Sequence, residues 1–353
     1  MSVYAKIKKK LGNFKLDVEF ESDNGTLGLL GASGCGKSMT LKCIAGIIRP
    51  DEGLIKVNGQ VLFDSKRGID LKPQDRHVGL MFQNYALFPN MTLRDNICSV
   101  LRYSSRSSGI GKKFEELTES LYLKGLEEHY PCQLSGGQQQ RAALARILAS
   151  EPRLIMLDEP LSALDSYLRW QVEQELSGAL SSFDGTTLYV SHNRDEVFRM
   201  CRKICVMNEG HSEGVCTAEE LFKTPSSFSA AMLSGCRNYS RIAKIDEKTI
   251  RAIDWKVDLR CGYINENIRY VGIRSHNVVP CAEKGLISLQ CRITKVIPDV
   301  FFTAVILLPI NSDKKEDLSY LRMELPSSYT GPLSEGQVIT VSVSEEDIIP
   351  LTA

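Results

Sequence analysis

The stretch that decides the fold is residues 31–38, which read Gly31-Ala32-Ser33-Gly34-Cys35-Gly36-Lys37-Ser38. Their pattern, G-x-x-x-x-G-K-S, is that of a phosphate-binding loop. An apolar run at 27–30 precedes the loop and predicts a buried strand, and residues 39–48 predict a helix. Glycine allows the tight bend that turns backbone N–H groups toward an anion, and the helix N-terminus adds a partial positive charge. The segment therefore predicts a nucleotide phosphate site.

The loop supplies most of the predicted nucleotide contacts. The candidates are Gly31, Ala32, Ser33, Gly34, Cys35, Gly36, Lys37, Ser38 and Met39. We expect Lys37 to reach the outer phosphates and the Ser38 hydroxyl to ligate Mg²⁺. The alternative is a glycine-rich turn that binds nothing, and the strand and helix on either side make it the weaker interpretation.

The composition sets broad limits on the protein class. The chain has 353 residues, enough for about two domains. Lys plus Arg and Asp plus Glu both number 43, so the net charge is zero and nucleic acid is not an expected partner. No apolar run reaches the ~18 residues of a membrane span, and the N-terminus has no signal-peptide core. We therefore expect a cytoplasmic location.

The pattern of predicted elements changes near residue 235. Strands are predicted at 3–10, 13–21, 54–61 (a pair around a turn at 58–59), 78–82, 154–157, 186–190 and 203–207, with helices between them. Beyond the change, β-like segments are predicted at 240–245, 249–253, 269–273, 287–296, 301–308 and 337–343. We predict two domains. Residues 1–235 form an α/β domain around a mostly parallel sheet, with an antiparallel addition at the N-terminus. Residues 236–353 form a small all-β barrel.

Two acids follow the predicted buried strand at 154–157. Asp158 and Glu159 would lie at its carboxyl end, where open α/β sheets bind ligands. Asp158 is then placed to hold Mg²⁺, and Glu159 to polarise an attacking water. The alternative is a pair of solvated acids at a strand end.

A second glycine-rich motif lies between the loop and the acids. Residues 134–141 read Leu-Ser-Gly-Gly-Gln-Gln-Gln-Arg, which resembles the ATP-binding-cassette (ABC) signature, and the chain resembles the ATPase subunit of an ABC importer. The helix starting here would run to about residue 148. Its first residues would clamp phosphate: Ser135, Gly136, Gly137 and Gln138. An N-capped helix after a turn is the plainer alternative.

Other positions match the same family. Gln83 resembles the Q-loop glutamine, a Mg²⁺ ligand and sensor of the γ-phosphate. The stretch 162–165 resembles the D-loop, which makes Asp165 a nucleotide-site candidate. His192 resembles the H-loop histidine, which contacts the γ-phosphate and the attacking water. Phe14 is the candidate for stacking on adenine, although a core strand position would suit it nearly as well.

The resemblance implies both a fold and a working cycle. The fold is a P-loop ABC ATPase domain with an N-terminal antiparallel β subdomain and a helical subdomain, followed by the β-barrel domain. A head-to-tail dimer would bind ATP and Mg²⁺ between the loop of one copy and the signature of the other. Lys37, Gln83, Glu159 and His192 would carry hydrolysis. Integral-membrane permease subunits, contacted near 83–89, would hold the chain on the inner face of the membrane. A solute-binding protein would act indirectly.

The transported substrate is only hinted at. The stretch 270–277 contains the family's Gly-Ile-Arg motif, and together with 11–18 and 58–65 it most resembles molybdate or tungstate ATPases. Sulfate, iron, polyamine and sugar importers stay open, as does a non-transport ABC ATPase. We expect residues 236–353 to regulate activity or stabilise the dimer. Arg274 and His276 could contact a regulatory oxyanion, or could simply be surface residues at a strand end.

Overall fold

The chain folds into two compact units. The computed structural model describes residues 2–104, 109–162, 164, 166–262, 264–280, 287–312 and 317–353. Contacts group them into Met1–Ala218 and Glu219–Ala353. The boundary predicted at residue 235 therefore falls inside the second unit.

The first unit is built on one mixed sheet. Its strands are β1 (Val3–Leu11), β2 (Phe14–Ser22), β3 (Gly25–Gly31), β4 (Glu52–Val57), β5 (Gln60–Asp64), β6 (Ile69–Asp70), β7 (Val78–Met81), β8 (Leu154–Asp158), β9 (Thr186–Ser191), β10 (Lys203–Asn208) and β11 (His211–Thr217). Their order across the sheet is β6-β5-β4-β1-β2-β11-β10-β3-β9-β8-β7. The predicted hairpin turn at Asn58-Gly59 joins β4 to β5, and both turn residues have the positive φ that such a turn requires.

The sheet divides into an antiparallel and a parallel part. Strands β1, β2, β4, β5 and β6 pair antiparallel, whereas β10, β3, β9, β8 and β7 run parallel. Every residue of β8 and of β9 is buried. This burial explains the continuous apolar run at 154–157, because parallel strands are covered on both faces. The carboxyl ends of β3, β7, β8 and β9 consequently meet at one edge.

The helices of the first unit flank this sheet. They are α1 (Lys37–Ala45), α2 (Leu93–Ser104), α3 (Ile110–Ser120), α4 (Gly136–Leu148), α5 (Ser166–Ser181) and α6 (Arg194–Met200). Helices α2, α3 and α4 pack on one another, and α4 also packs on α5. These contacts form the predicted helical subdomain. No helix among the described residues has the length and apolar character needed to cross a membrane.

The second unit starts with two short helices, α7 (Ala218–Lys223) and α8 (Phe228–Leu233). Its strands are β12 (Asn238–Lys244), β13 (Thr249–Ala252), β14 (Val257–Arg260), β15 (Ile268–Ile273), β16 (Ile287–Pro298), β17 (Phe302–Pro309), β18 (Leu321–Pro326), β19 (Val338–Val343) and β20 (Ile348–Thr352). They form two antiparallel sheets, β14-β13-β12-β15-β20 and β18-β17-β16-β19. The predicted small all-β domain is confirmed.

One apolar core joins the two sheets of the second unit. It contains Trp255, Val271, Ile293, Val305 and Val341, all almost fully buried. A smaller cluster holds α8, because the Phe228 ring packs on Tyr239 and Tyr270 with centroids 4.8 Å apart in both pairs. This packing attaches α8 to the β-strands of the second unit.

Candidate functional site

The phosphate-binding loop lies between β3 and α1, as the sequence predicts. Gly34 and Gly36 adopt φ of 83° and 107°, which residues with a side chain rarely adopt. A Cβ at Gly36 would lie 2.5 Å from a Leu16 methyl carbon, and one at Gly31 would lie 2.2 Å from the Met207 carbonyl oxygen. Glycine is therefore required both for the bend and for the close packing beneath it.

Lys37 occupies the hollow of this loop. Its side chain is buried, and Nζ donates to the carbonyl oxygens of Gly31 at 2.7 Å and Ala32 at 2.9 Å. Cys35, also buried, has its Sγ 3.8 Å from the same nitrogen. The ammonium group thus lies against carbonyl oxygens of the loop, next to the start of α1.

Ser38 and Asp158 meet at the edge of the sheet. The Ser38 Oγ donates to Asp158 Oδ1 at 2.8 Å, which links the first turn of α1 to the end of β8. Burial raises the pKa of Asp158, and the hydrogen bond from Ser38 partly offsets this rise. A hydroxyl and a carboxylate oxygen are ligands that Mg²⁺ takes together with substrate phosphates. Among the described residues, no group of three or more His, Cys, Asp or Glu side chains is placed to hold a metal ion.

Glu159 and His192 form the next contact along the same edge. Glu159 has a positive φ of 48°, and its N–H donates to the Val190 carbonyl oxygen at 3.0 Å. This turn aims the carboxylate toward the end of β9, where His192 Nδ1 lies 3.1 Å from Glu159 Oε1. The imidazole is mostly exposed, whereas the carboxylate is mostly covered. The pair can hold a water or a phosphate oxygen on its open side.

Gln83 lies beside this cluster but does not touch it. Its Nε2 donates to Ser162 Oγ at 3.3 Å, and Ser162 in turn donates to the Glu159 carbonyl oxygen at 2.9 Å. Tyr85 Oη donates to the Pro160 carbonyl oxygen at 3.4 Å. The segment after β7 is therefore fastened to the segment after β8, and Gln83 reaches the acids only through Ser162. Asp165, the predicted D-loop residue, lies outside the described residues.

The signature residues cap the start of α4. Ser135 Oγ accepts the N–H of Gln138 at 3.3 Å, and Gln138 Oε1 accepts the N–H of Ser135 at 2.8 Å. These two bonds form a reciprocal capping box, as the plainer interpretation of the motif predicts. The N-terminus of the same helix can also bind an anion. Gly137 is buried, and a Cβ there would lie 2.9 Å from a Val172 methyl carbon.

An open pocket lies beside the phosphate loop. Residues 13–15, 32–35, 208, 209 and 211 line it. Phe14 is partly buried, and its ring carbon lies 3.2 Å from where a Cβ of Gly36 would be. The turn between β10 and β11 supports the loop, since Gly210 N–H donates to the Cys35 carbonyl oxygen at 3.2 Å. Phe14 thus packs against the core and also lines the pocket, and its stacking on adenine stays a prediction.

Sequence analysis missed two buried charged residues, one at the C-terminal end of α1 and one behind His192. Arg76 is almost fully buried and donates to the carbonyl oxygens of Cys43 and Ile44 at the end of α1. Glu196, also buried, accepts the hydroxyl of Ser191, the residue before His192. A charged residue in a polar stretch ordinarily predicts a solvated side chain, so the sequence carries no signal of either burial.

Comparisons with known proteins identify the family. A family model described as "ABC transporter" matches residues 15–162. The spermidine/putrescine import ATP-binding protein of Bacillus cereus is 34% identical over 281 residues, covering 75% of this chain and 83% of its own length. This chain belongs to the ABC transporter ATP-binding family. The ATPase class predicted from the sequence is thereby confirmed.

Other ABC relatives differ in their named substrates. The sulfate/thiosulfate import ATP-binding protein of Chromobacterium violaceum is 42% identical over 211 residues, which are 60% of this chain but 56% of that protein. The molybdenum import ATP-binding protein of Paramagnetospirillum magneticum is 37% identical over 222 residues, 62% of this chain and 60% of that one. The importer resemblance is confirmed, whereas molybdate is not singled out.

The ABC fold is confirmed by solved structures. A dimeric ATP-binding cassette in a post-hydrolysis state with ADP and phosphate is similar with a TM-score of 0.52 and 27% identity. The alignment covers 61% of this chain and 98% of that one.

Proposed function

We propose that this chain is the ATP-hydrolysing subunit of an ABC importer. The observation that carries the proposal is the meeting of two pairs at one sheet edge, Ser38 with Asp158 and Glu159 with His192. The first pair joins the start of α1 to the carboxyl end of β8, and the second joins the ends of β8 and β9, where open α/β sheets bind their ligands. The family membership and the importer relatives support the same conclusion.

The residues divide the chemistry between them. Lys37 Nζ exchanges its two loop carbonyls for phosphate oxygens, while the N–H groups of the loop hold the remaining charge. Ser38 and Asp158 would hold Mg²⁺, which would supply positive charge to offset that of the transferred phosphoryl group. Glu159 accepts a proton from the attacking water, and His192 orients that water for in-line attack. Gln83 is the first residue of the segment at 83–89, so it couples the presence of nucleotide in this site to that segment.

A second copy of the chain completes the site. The signature turn of Ser135 to Gln138 is an anion-binding helix start that needs a phosphate from elsewhere. We infer a head-to-tail dimer, in which the signature of one copy covers the loop of the other. The dimeric cassette among the similar structures supports this arrangement.

Membrane subunits supply the transport path. The segment at 83–89 carries the half-exposed Phe88 ring and contacts Arg146 of α4, so it suits a docking permease helix. The chain would then work in the cytoplasm against the inner membrane face, with a solute-binding protein acting on the opposite side. As substrate we propose a tetrahedral oxyanion, molybdate or sulfate, because relatives for both were found. Polyamine is the competing class.

Two experiments test the proposal. Lys37→Ala and Ser135→Arg chains should each be inactive, but mixing them should restore roughly a quarter of wild-type ATPase activity, since half of randomly formed dimers keep one intact site. Mixtures that stay inactive would contradict the head-to-tail dimer. Uptake of labelled sulfate, molybdate and spermidine by vesicles containing the chain with its cognate permease then identifies the substrate. Failure of the chain to co-purify with any permease would contradict the importer role.

A further inference from the structure

The segment that carries His192 is held by a closed ring of hydrogen bonds. Asn193 N–H donates to Ser191 Oγ at 2.9 Å, and Ser191 Oγ–H donates to Glu196 Oε2 at 2.8 Å. The ring closes because Glu196 N–H donates to Asn193 Oδ1 at 3.3 Å. His192 is the one residue of 191–193 whose side chain takes no part in the ring. The direction in which the His192 side chain leaves the backbone is therefore set by Ser191 and Asn193.

Glu196 is the anchor of this ring. Its side chain is nearly fully buried, and Oε2 also accepts Tyr189 Oη at 3.3 Å. Oε1 faces Arg169 Nε at 3.9 Å. Burial raises the pKa of Glu196, and the hydrogen bond from Ser191 and the charge of Arg169 partly offset this rise. Burying a carboxyl is unfavourable unless its oxygens are satisfied.

We propose that Glu196 is a positioning residue for hydrolysis, which fixes His192 against Glu159 through the hydroxyl of Ser191. The inference rests on the proposed ATPase role of His192. Reacting groups must be held within narrow limits, and a displacement of about 1 Å can cost ~10²-fold in rate. The contact between His192 Nδ1 and Glu159 Oε1 at 3.1 Å is the geometry that the ring preserves.

The matched control is Glu173. It is as buried as Glu196 and pairs with Arg199 of α6, but it makes no hydrogen bond to residues 191–193. Removing either acid disturbs the packing between α5 and α6. Only removal of Glu196 breaks the ring beneath His192. The Glu173 variant therefore reports the loss of stability that both variants share. A loss of activity seen only in the Glu196 variant reports an effect on catalysis.

The test is a double-mutant cycle on kcat in the full-length chain. Glu196→Leu should lower kcat about tenfold with little change in KM for ATP, and Glu196→Gln, which keeps an acceptor oxygen for Ser191, should recover most of that rate. Glu173→Leu should leave kcat close to wild type. In the His192→Ala background, Glu196→Leu should have no further effect, because the group it positions is gone.

Each outcome decides between the alternatives. If the losses from His192→Ala and Glu196→Leu multiply, or if Glu173→Leu slows turnover equally, Glu196 is only structural and the inference is overturned. If His192→Ala keeps the wild-type rate, the proposed role of His192 fails as well. Should Glu196→Leu not fold, Ser191→Ala removes the same link from the other end. A wild-type kcat in folded Ser191→Ala would overturn the inference.

Discussion

The two units use their polar residues in opposite ways. At the sheet edge of the first unit, Ser38 of α1 meets Asp158 at the end of β8, and Glu159 meets His192 after β9, with the imidazole mostly exposed. In the second unit, Asp254 accepts from both the backbone and the guanidinium of Arg241 and from Ser240, so its contacts lie within the domain. The first arrangement leaves the His192 imidazole exposed to a ligand, whereas the second holds strands together.

Arg274 shows why this distinction matters. The Gly-Ile-Arg motif made it a candidate for contacting an oxyanion. In the structure its guanidinium donates to the carbonyl oxygens of Ser234 and Phe222 and to the Ser234 hydroxyl. These bonds tie the helical segment of the second unit to the end of β15. The structure thus favours a structural role for Arg274.

The largest expected effect concerns the open edge of the first unit. Glu159→Gln removes the proton acceptor but keeps the shape of the side chain, so ATP binding should persist while turnover falls by about 10²–10⁴-fold. Single-turnover hydrolysis and nucleotide affinity measured on the same preparation check this. The control is Glu151→Gln, an exposed acid on the same unit. Normal turnover by Glu159→Gln would show that the edge only binds nucleotide.

The strands and turns of the first unit could be predicted because each is decided by a short stretch of consecutive residues. The run at 154–157 predicts a strand buried on both faces, and the turn at 58–59 predicts the β4–β5 hairpin. The site residues follow directly after such strands, so predicting the strands also predicts that the residues share an edge.

In the second unit, strands far apart in sequence pair with each other, and no local sequence pattern predicts which strands pair. Strand β20 pairs with β15, and Val271 lies opposite Pro350, a residue type that argues against a strand. The burial of Glu196 and Arg76 was missed for a related reason. Cys43 and Ile44, which accept from Arg76, become its neighbours only in the folded chain. Glu196 bonds to Ser191 and Tyr189, which are near in sequence, but it is also covered by Arg169 of α5, a contact that the sequence does not show.

A smaller effect is expected from removing the buried charge of Asp158. Asp158→Asn keeps an acceptor for Ser38 but removes the carboxylate that burial disfavours, so Tm should rise by a few degrees while hydrolysis falls. A raised folded-state pKa contributes stability at low pH that is lost as pH rises through it. The gain in Tm should therefore be larger at about pH 7 than at about pH 4. A gain independent of pH would contradict a buried, disfavoured carboxylate.

The smallest effect on nucleotide chemistry is expected from Arg274. Arg274→Gln removes the donor to the Phe222 and Ser234 carbonyls and should destabilise the second unit by about 1–3 kcal/mol. The chain has two tryptophans, and Trp255 is buried in the second unit, so a Trp170→Phe background lets denaturant unfolding of that unit be followed by fluorescence alone. The exposed His276→Ala is the control and should change stability by less than about 0.5 kcal/mol. Calorimetric titration with molybdate, tungstate and sulfate should give equal results for both variants and the parent chain. An affinity lost only in Arg274→Gln would restore Arg274 as an anion ligand and remove the contrast between the two units.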